Sequence, residues 1–185
     1  MKTEITPHAL AVRFCVSLKR IVSGEQLLIT RTSMMKSRTS VGLPFLASSG
    51  DIKETLKFFA GFPNDVRWER VLLKRDELKE IKYIAWDYWL DITDGSRLAL
   101  DAAKRIVSGM MDEGEAKGFW AVADAVRQGI TLPELILVSA RKKDDLVVLE
   151  GHVRLTGYLL RPENLPPELP AIVGYSEGIR LWELY

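Results

Sequence analysis

Asp145-Leu146-Val147-Val148-Leu149-Glu150-Gly151-His152-Val153-Arg154-Leu155-Thr156-Gly157-Tyr158 carries a short apolar run into a glycine and straight on into helical spacing. Leu146 to Leu149 read as a buried strand, and Leu155, Leu159 and Leu160 mark the apolar face of the helix that follows. The first amides of such a helix have no intrahelical acceptor, and the helix dipole adds roughly half a positive charge at that end. An anion, most often a phosphate, is favoured there. Gly151 leaves no Cβ between a ligand and the backbone. Arg154 falls in the first turn, where its guanidinium can fork onto the same anion. Glu150 and His152 bracket the glycine as candidate catalytic residues, a base or magnesium ligand and a proton carrier.

Each of these residues also has a plainer reading that the letters leave open. Arg154 either meets a bound anion or pairs with Glu150 or Asp145. His152 either reaches a ligand or serves as a helix cap or surface side chain.

Upstream of this stretch, Leu135 to Val138 form a second apolar run, separated from the first by Arg141-Lys142-Lys143-Asp144-Asp145. Two short strands around a charged loop make a hairpin. A helix is expected from about Gly114 to Gln128, with Phe119, Val122 and Val126 on one stripe and Gly129 closing it. Another is expected from about Arg97 to Val107, after the cap candidates Thr93-Asp94-Gly95-Ser96. Val66 to Leu73 read as a strand and Asp76 to Ile84 as a helix, while Trp86 to Ile92 fit neither pattern. The proline-bearing segment from Arg161 to Pro170 reads as a linker before a last strand, Ala171 to Gly174. Toward the N-terminus, residues 12–19 and 27–30 alternate like a hairpin, 31–50 read as a long loop, and Asp51 with Glu54 opens a short helix through Phe58. The expected organisation is one domain, with 1–63 an N-terminal elaboration and 64–185 the core.

The totals narrow the function. Among 185 residues, 26 basic side chains face 25 acidic ones, and a formal charge of +1 argues against a sequence-independent nucleic-acid coat. The single cysteine, Cys15, forms no internal disulfide, and no apolar stretch reaches the ~20 residues of a membrane span. A cytoplasmic protein without membrane partners is expected. With only His8, His152 and Cys15 as soft ligands, no structural zinc site is expected. The phosphate loop of NTPases, the dinucleotide glycine motif and the nucleophile elbow are all absent.

A second cluster, Asp91-Ile92-Thr93-Asp94-Gly95-Ser96-Arg97, offers Asp94, Gly95, Ser96 and Arg97 as further phosphate-binding candidates at another helix start. A plain cap accounts for the same letters. Two amide-rich helix starts facing one cleft would suit a triphosphate. Trp68, Trp86, Tyr88, Trp89 and Trp120 could stack on a base, although aromatic residues more often fill a core.

The run from Leu146 to Thr156, followed by Leu169-Pro170-Ala171-Ile172-Val173-Gly174, resembles the ParB/sulfiredoxin-like superfamily, which includes ParB-like nucleases and free-serine kinases. Val71-Leu72-Leu73 with Leu78 looks like that family's opening strand and helix, so the resemblance spans roughly residues 66 to 174. It implies an α+β fold, a small mixed sheet with flanking helices, here with an N-terminal hairpin and helix added. It also implies nucleotide or phosphate binding at Gly151, Arg154 and Thr156, with ATP, ADP or CTP and magnesium as cofactors and Glu150 and His152 as catalytic positions. Sulfiredoxin's cysteine is replaced by His152, and Glu150 stands where the kinase-like branch has Asp. The resulting expectation is a nucleotide- or phosphate-binding protein, an NTPase or small-molecule phosphotransferase. The rival is a DNA-associated accessory protein without catalysis.

Overall fold

The computed structural model describes residues 58–185. The expected N-terminal hairpin, loop and most of the short helix lie outside the described residues. What is described is a mixed α+β fold: a five-stranded sheet in the order β1-β5-β3-β4-β2, with flanking helices.

The strands are β1 (Arg67–Lys74), β2 (Lys82–Tyr83), β3 (Leu135–Ser139), β4 (Val147–Glu150) and β5 (Glu168–Tyr175). The helices are α1 (Asp87–Ile92), α2 (Ala99–Val107), α3 (Glu113–Arg127) and α4 (His152–Leu160). β3 and β4 pair antiparallel around the charged loop, as the apolar runs imply. Every residue of both strands is buried, which explains why they read as continuous apolar runs and not as an alternation. β5 runs parallel to β3 and antiparallel to β1, so it is the strand that joins the two halves of the sheet.

Three boundaries depart from expectation. Asp76 to Ile84 is not one helix: Arg75–Glu80 form a 3₁₀ turn and the chain then extends as β2. Pairing of Lys82 with Val147 and Tyr83 with Val148 demands extended backbone there, so a distant strand overrides the local helical spacing. The ambiguous aromatic stretch forms α1. The supposed linker already contains the first three residues of β5; Pro170 fits because it precedes Ala171, the first β5 residue paired with β3, and faces Leu72 of β1 alone.

α4 packs against α2 and α3. The α3 contact is close because residue 157 is glycine: a Cβ there would stand 2.6 Å from Val122 Cβ and 2.9 Å from the Phe119 carbonyl oxygen. Tyr83 of β2 reaches α4 through a buried hydrogen bond between its hydroxyl and that of Thr156. These contacts fix the start of α4 against the sheet. Among the described residues, no helix is long and apolar enough to cross a membrane.

Candidate functional site

β4 passes into α4 through Gly151, whose φ of +102° lies where an L side chain is strained. Its surroundings forbid one as well. A Cβ at 151 would stand 2.6 Å from Leu135 Cδ2 and 3.0 Å from Arg154 Nη2. The guanidinium of Arg154 therefore folds back over the glycine. The first intrahelical bond runs from Leu155 N to the Gly151 carbonyl at 2.8 Å, and among the described residues no side chain caps this helix.

Arg154 pairs with Glu150, one helical turn before it, through Nη2, and the same nitrogen donates to the Glu134 carbonyl at 3.4 Å. The arginine side chain is 16% exposed and the glutamate 9%. Of the two sequence readings for Arg154, the structure shows the carboxylate pair, with Glu150 and not Asp145 as partner. Asp145 is held by Lys82 at 2.6 Å. Yet Glu150 engages only one nitrogen. Nε of Arg154 is buried and unpartnered among the described residues, and Nη1 makes no hydrogen bond there.

His152 is neither a helix cap nor a surface residue. It is 2% exposed and stacks on Trp89 with ring centroids 4.8 Å apart and planes within 10°. Tyr83 packs against both, with its ring centroid 4.4 Å from that of Trp89 and 5.9 Å from that of His152. Burial, with the positive Arg154 nearby, drives the His152 pKa down to about 3, so the imidazole is neutral at ordinary pH. Thr156 is likewise interior: its hydroxyl donates to the His152 carbonyl at 2.9 Å and bonds Tyr83. Neither residue faces an opening, and both are accounted for by the packing of α4 on β2 and α1.

The second cluster is built differently from its sequence reading. Asp94, Gly95 and Arg97 all take positive φ, so α2 begins only at Ala99 and Arg97 lies outside it. Thr93 organises the turn: its hydroxyl donates to the Trp89 carbonyl at 2.6 Å and accepts from Arg97 N at 3.0 Å. Ser96 Oγ accepts from Leu98 N at 3.2 Å and donates to Asp101 at 2.7 Å. Arg97 is fully engaged. Its Nε, Nη1 and Nη2 donate to the carbonyls of Tyr83 (2.9 Å), Tyr185 (2.8 Å) and Leu184 (3.3 Å). No group of three or more potential metal ligands occurs among the described residues.

The aromatic side chains mostly serve packing. Trp89 is fully buried, Trp86 meets Phe58 edge-to-face, and Trp68 covers Gly174 of β5. Trp120 carries Arg161 over its ring.

Sequence reasoning passed over the cleft that lies next to Arg154. A cavity of about 260 Å³ opens between the end of α3, the β1–β5–β3 part of the sheet and the 162–166 segment. Glu134 and Leu135 form part of its wall, and these two residues also touch Arg154 and Gly151. Tyr158 lines it too. The one signal in the letters was spacing, since Tyr158 stands four residues after Arg154 and so on the same helix face. Neither Gly151 nor the Asp94–Arg97 turn lines this cavity, so the two helix starts do not share it. Comparison with protein-family models, with curated proteins and with solved structures finds no match for this chain.

Proposed function

We propose that the protein binds a small phosphorylated molecule at the Gly151–Arg154 turn, a magnesium-bound nucleotide such as ATP, ADP or CTP being the leading candidate. The observation that carries this reading is the incomplete use of Arg154. A guanidinium has five N–H donors, and buried polar groups nearly always find partners. Here Nη2 is taken while the buried Nε and the outer Nη1 are not, among the described residues. Among the described residues, no side chain caps the start of α4 beside it.

Magnitudes decide how a ligand would sit. Breaking a buried ion pair costs about 3–5 kcal/mol, whereas an anion at a helix start gains about 0.3–2 kcal/mol. A phosphate therefore adds to Arg154 beside Glu150 and does not displace it. Magnesium would arrive on the nucleotide and keep most of its ligands from phosphate and water, since the described residues hold no cluster of their own. The mixed sheet with a helix leaving β4 through a left-handed glycine is compatible with the ParB/sulfiredoxin-like resemblance behind this choice. The reading is one of binding. His152 is neutral in the core and Glu150 is paired, so neither is placed to move a proton for a ligand.

The DNA-associated alternative draws no comparable support. Four basic side chains around the 141–145 loop are matched with carboxylates, Arg141 with Glu177, Lys142 with Glu69, Lys82 with Asp145 and Arg180 with Asp144, while Lys143 pairs with none among the described residues.

Thermal unfolding with millimolar ATP, ADP, CTP or GTP and magnesium tests the proposal. A ligand at about 100 times its Kd stabilises by about 2.7 kcal/mol, a shift of several degrees. Arg154→Lys keeps a charge for Glu150 but loses the spare planar donors, and should abolish the shift. An unchanged melting temperature for the wild type with every nucleotide would end the proposal.

A further inference from the structure

The cavity beside β3 is a second place where polar and apolar groups converge, and it does not depend on the nucleotide reading. Its walls are mainly apolar, with Leu73, Val126, Leu135, Leu165, Leu169 and Ala171 contributing from four parts of the chain. It is held open by fixed structure. At the end of α3, Gly129 N donates to the Val126 carbonyl at 2.8 Å and Ile130 N to the Ala125 carbonyl at 3.0 Å. Across from it, Leu165 N bonds the Pro162 carbonyl at 3.1 Å, and Arg75 grips the segment through the Leu165 carbonyl and, from its backbone N at 3.0 Å, the Pro167 carbonyl. Prolines 133, 166 and 170 border the space and supply no N–H to it.

Tyr158 is the exception to this apolar lining. The residue is 6% exposed and lines the cavity, yet its hydroxyl has no hydrogen bond among the described residues. The oxygen is not among the fully buried polar atoms that lack a partner, so it is reachable from solvent and open to a ligand's hydrogen bond. Burial raises its pKa, which keeps the O–H as a donor at neutral pH. The carboxylate in the wall, Glu134, is already neutralised by Arg70 Nε at 2.6 Å. The lining therefore shows no unbalanced charge.

We propose that this cleft binds a compact, uncharged and mostly apolar molecule, of the size of a substituted single ring, through a hydroxyl or carbonyl that bonds Tyr158. Size supports the class. An apolar cavity of about 150 Å³ holds benzene, and sites for drug-sized ligands run from about 300 to 1,000 Å³. A space of about 260 Å³ lies between them.

The test is methyl-detected NMR titration of the full chain with p-cresol, toluene and benzoate, with Tyr158→Phe as the variant. The expected result is saturable shifts of the Leu73, Leu135 and Leu169 methyl signals with p-cresol. Toluene should bind about five- to tenfold more weakly, and Tyr158→Phe should erase that difference, as one lost hydrogen bond implies. No methyl shift up to millimolar probe, equal binding of toluene and p-cresol, or preference for benzoate would each overturn the proposal. Nucleotide at the Gly151 turn can fail while p-cresol binds, and the reverse, so the two readings stand or fall apart.

Discussion

Two arginines occupy look-alike stretches, Arg97 after Asp94-Gly95-Ser96 and Arg154 after Glu150-Gly151-His152, and the fold uses them in opposite ways. Arg97 sits at positive φ outside a helix and spends Nε, Nη1 and Nη2 on backbone carbonyls. Arg154 sits inside a first turn and spends one nitrogen, on a carboxylate and a distant carbonyl. Burial lowers the pKa of Arg97, and the opposing charges of Asp145 and Tyr185 offset this only in part. The first arginine is a clamp that closes the C-terminal residues onto β2. The second is a charge held ready with donors to spare. A glycine followed by an arginine does not by itself distinguish them; the donors left over do.

The largest expected effect comes from removing the paired charge. Arg154→Ala removes the guanidinium that pairs with Glu150, 9% exposed, and should destabilise by up to about 3–5 kcal/mol in urea titration. The double variant Glu150→Gln/Arg154→Met removes both charges and should recover much of that loss. If the double variant is as unstable as the single, the pair is not what the arginine contributes.

Arg97→Ala should cost somewhat less, about 2–3 kcal/mol, by stranding the carbonyls of Tyr83, Leu184 and Tyr185. Unlike Arg154→Lys, it should leave any nucleotide-induced melting shift intact. Loss of that shift in Arg97→Ala would merge the two turns into one site and break the comparison.

Acid provides a third separation. The His152 pKa is depressed to about 3 in the folded protein, against about 6.5 in an unfolded chain. Between those values the unfolded state binds a proton that the folded state refuses, so stability is full above about 6.5 and falls as the pH drops toward 3. The slope is about 1.4 kcal/mol per pH unit, or about 2 kcal/mol from pH 6.5 to 5. His152→Phe keeps a ring against Trp89 and should flatten that part of the profile in urea unfolding. A wild-type profile without this slope would place a charged, solvated imidazole at the turn and reopen it as a proton carrier.

The parts of this molecule that could be read from its letters are those set by local forces. The β4–glycine–α4 passage was legible because a buried strand, a left-handed residue and a helical stripe follow one another within fourteen residues, 145 to 158. The Glu150–Arg154 pair was legible as an alternative for the same reason, being one helical turn apart. What escaped depends on remote partners. β2 extends because Val147 and Val148 pair with it, and Arg97 is held by carbonyls 14, 87 and 88 positions away. The His152 imidazole looked accessible in sequence because nothing local says that Trp89 and Tyr83 will close over it. Tyr158 was named only as the last residue of the 145–158 stretch, since the cleft it lines exists only once β5 and the 162–166 segment have formed it.

The smallest expected effect uses a third helix start as the reference. α3 is capped by Asp112, whose carboxylate accepts from Gly114 N at 2.8 Å and Glu115 N at 3.2 Å. α4 begins instead with a glycine and has no side-chain cap among the described residues. Asp112→Ala should cost about 1 kcal/mol, the ordinary value of a lost cap, and leave ligand binding unchanged. The converse substitution, Gly151→Asp, would bring a cap to α4 but at φ +102° and with Leu135 and Arg154 in the way of its Cβ. It should therefore destabilise where a cap would otherwise stabilise. If Gly151→Asp proves neutral or stabilising, the turn has room and freedom that its geometry denies, and the glycine is no longer explained by the arginine folded over it.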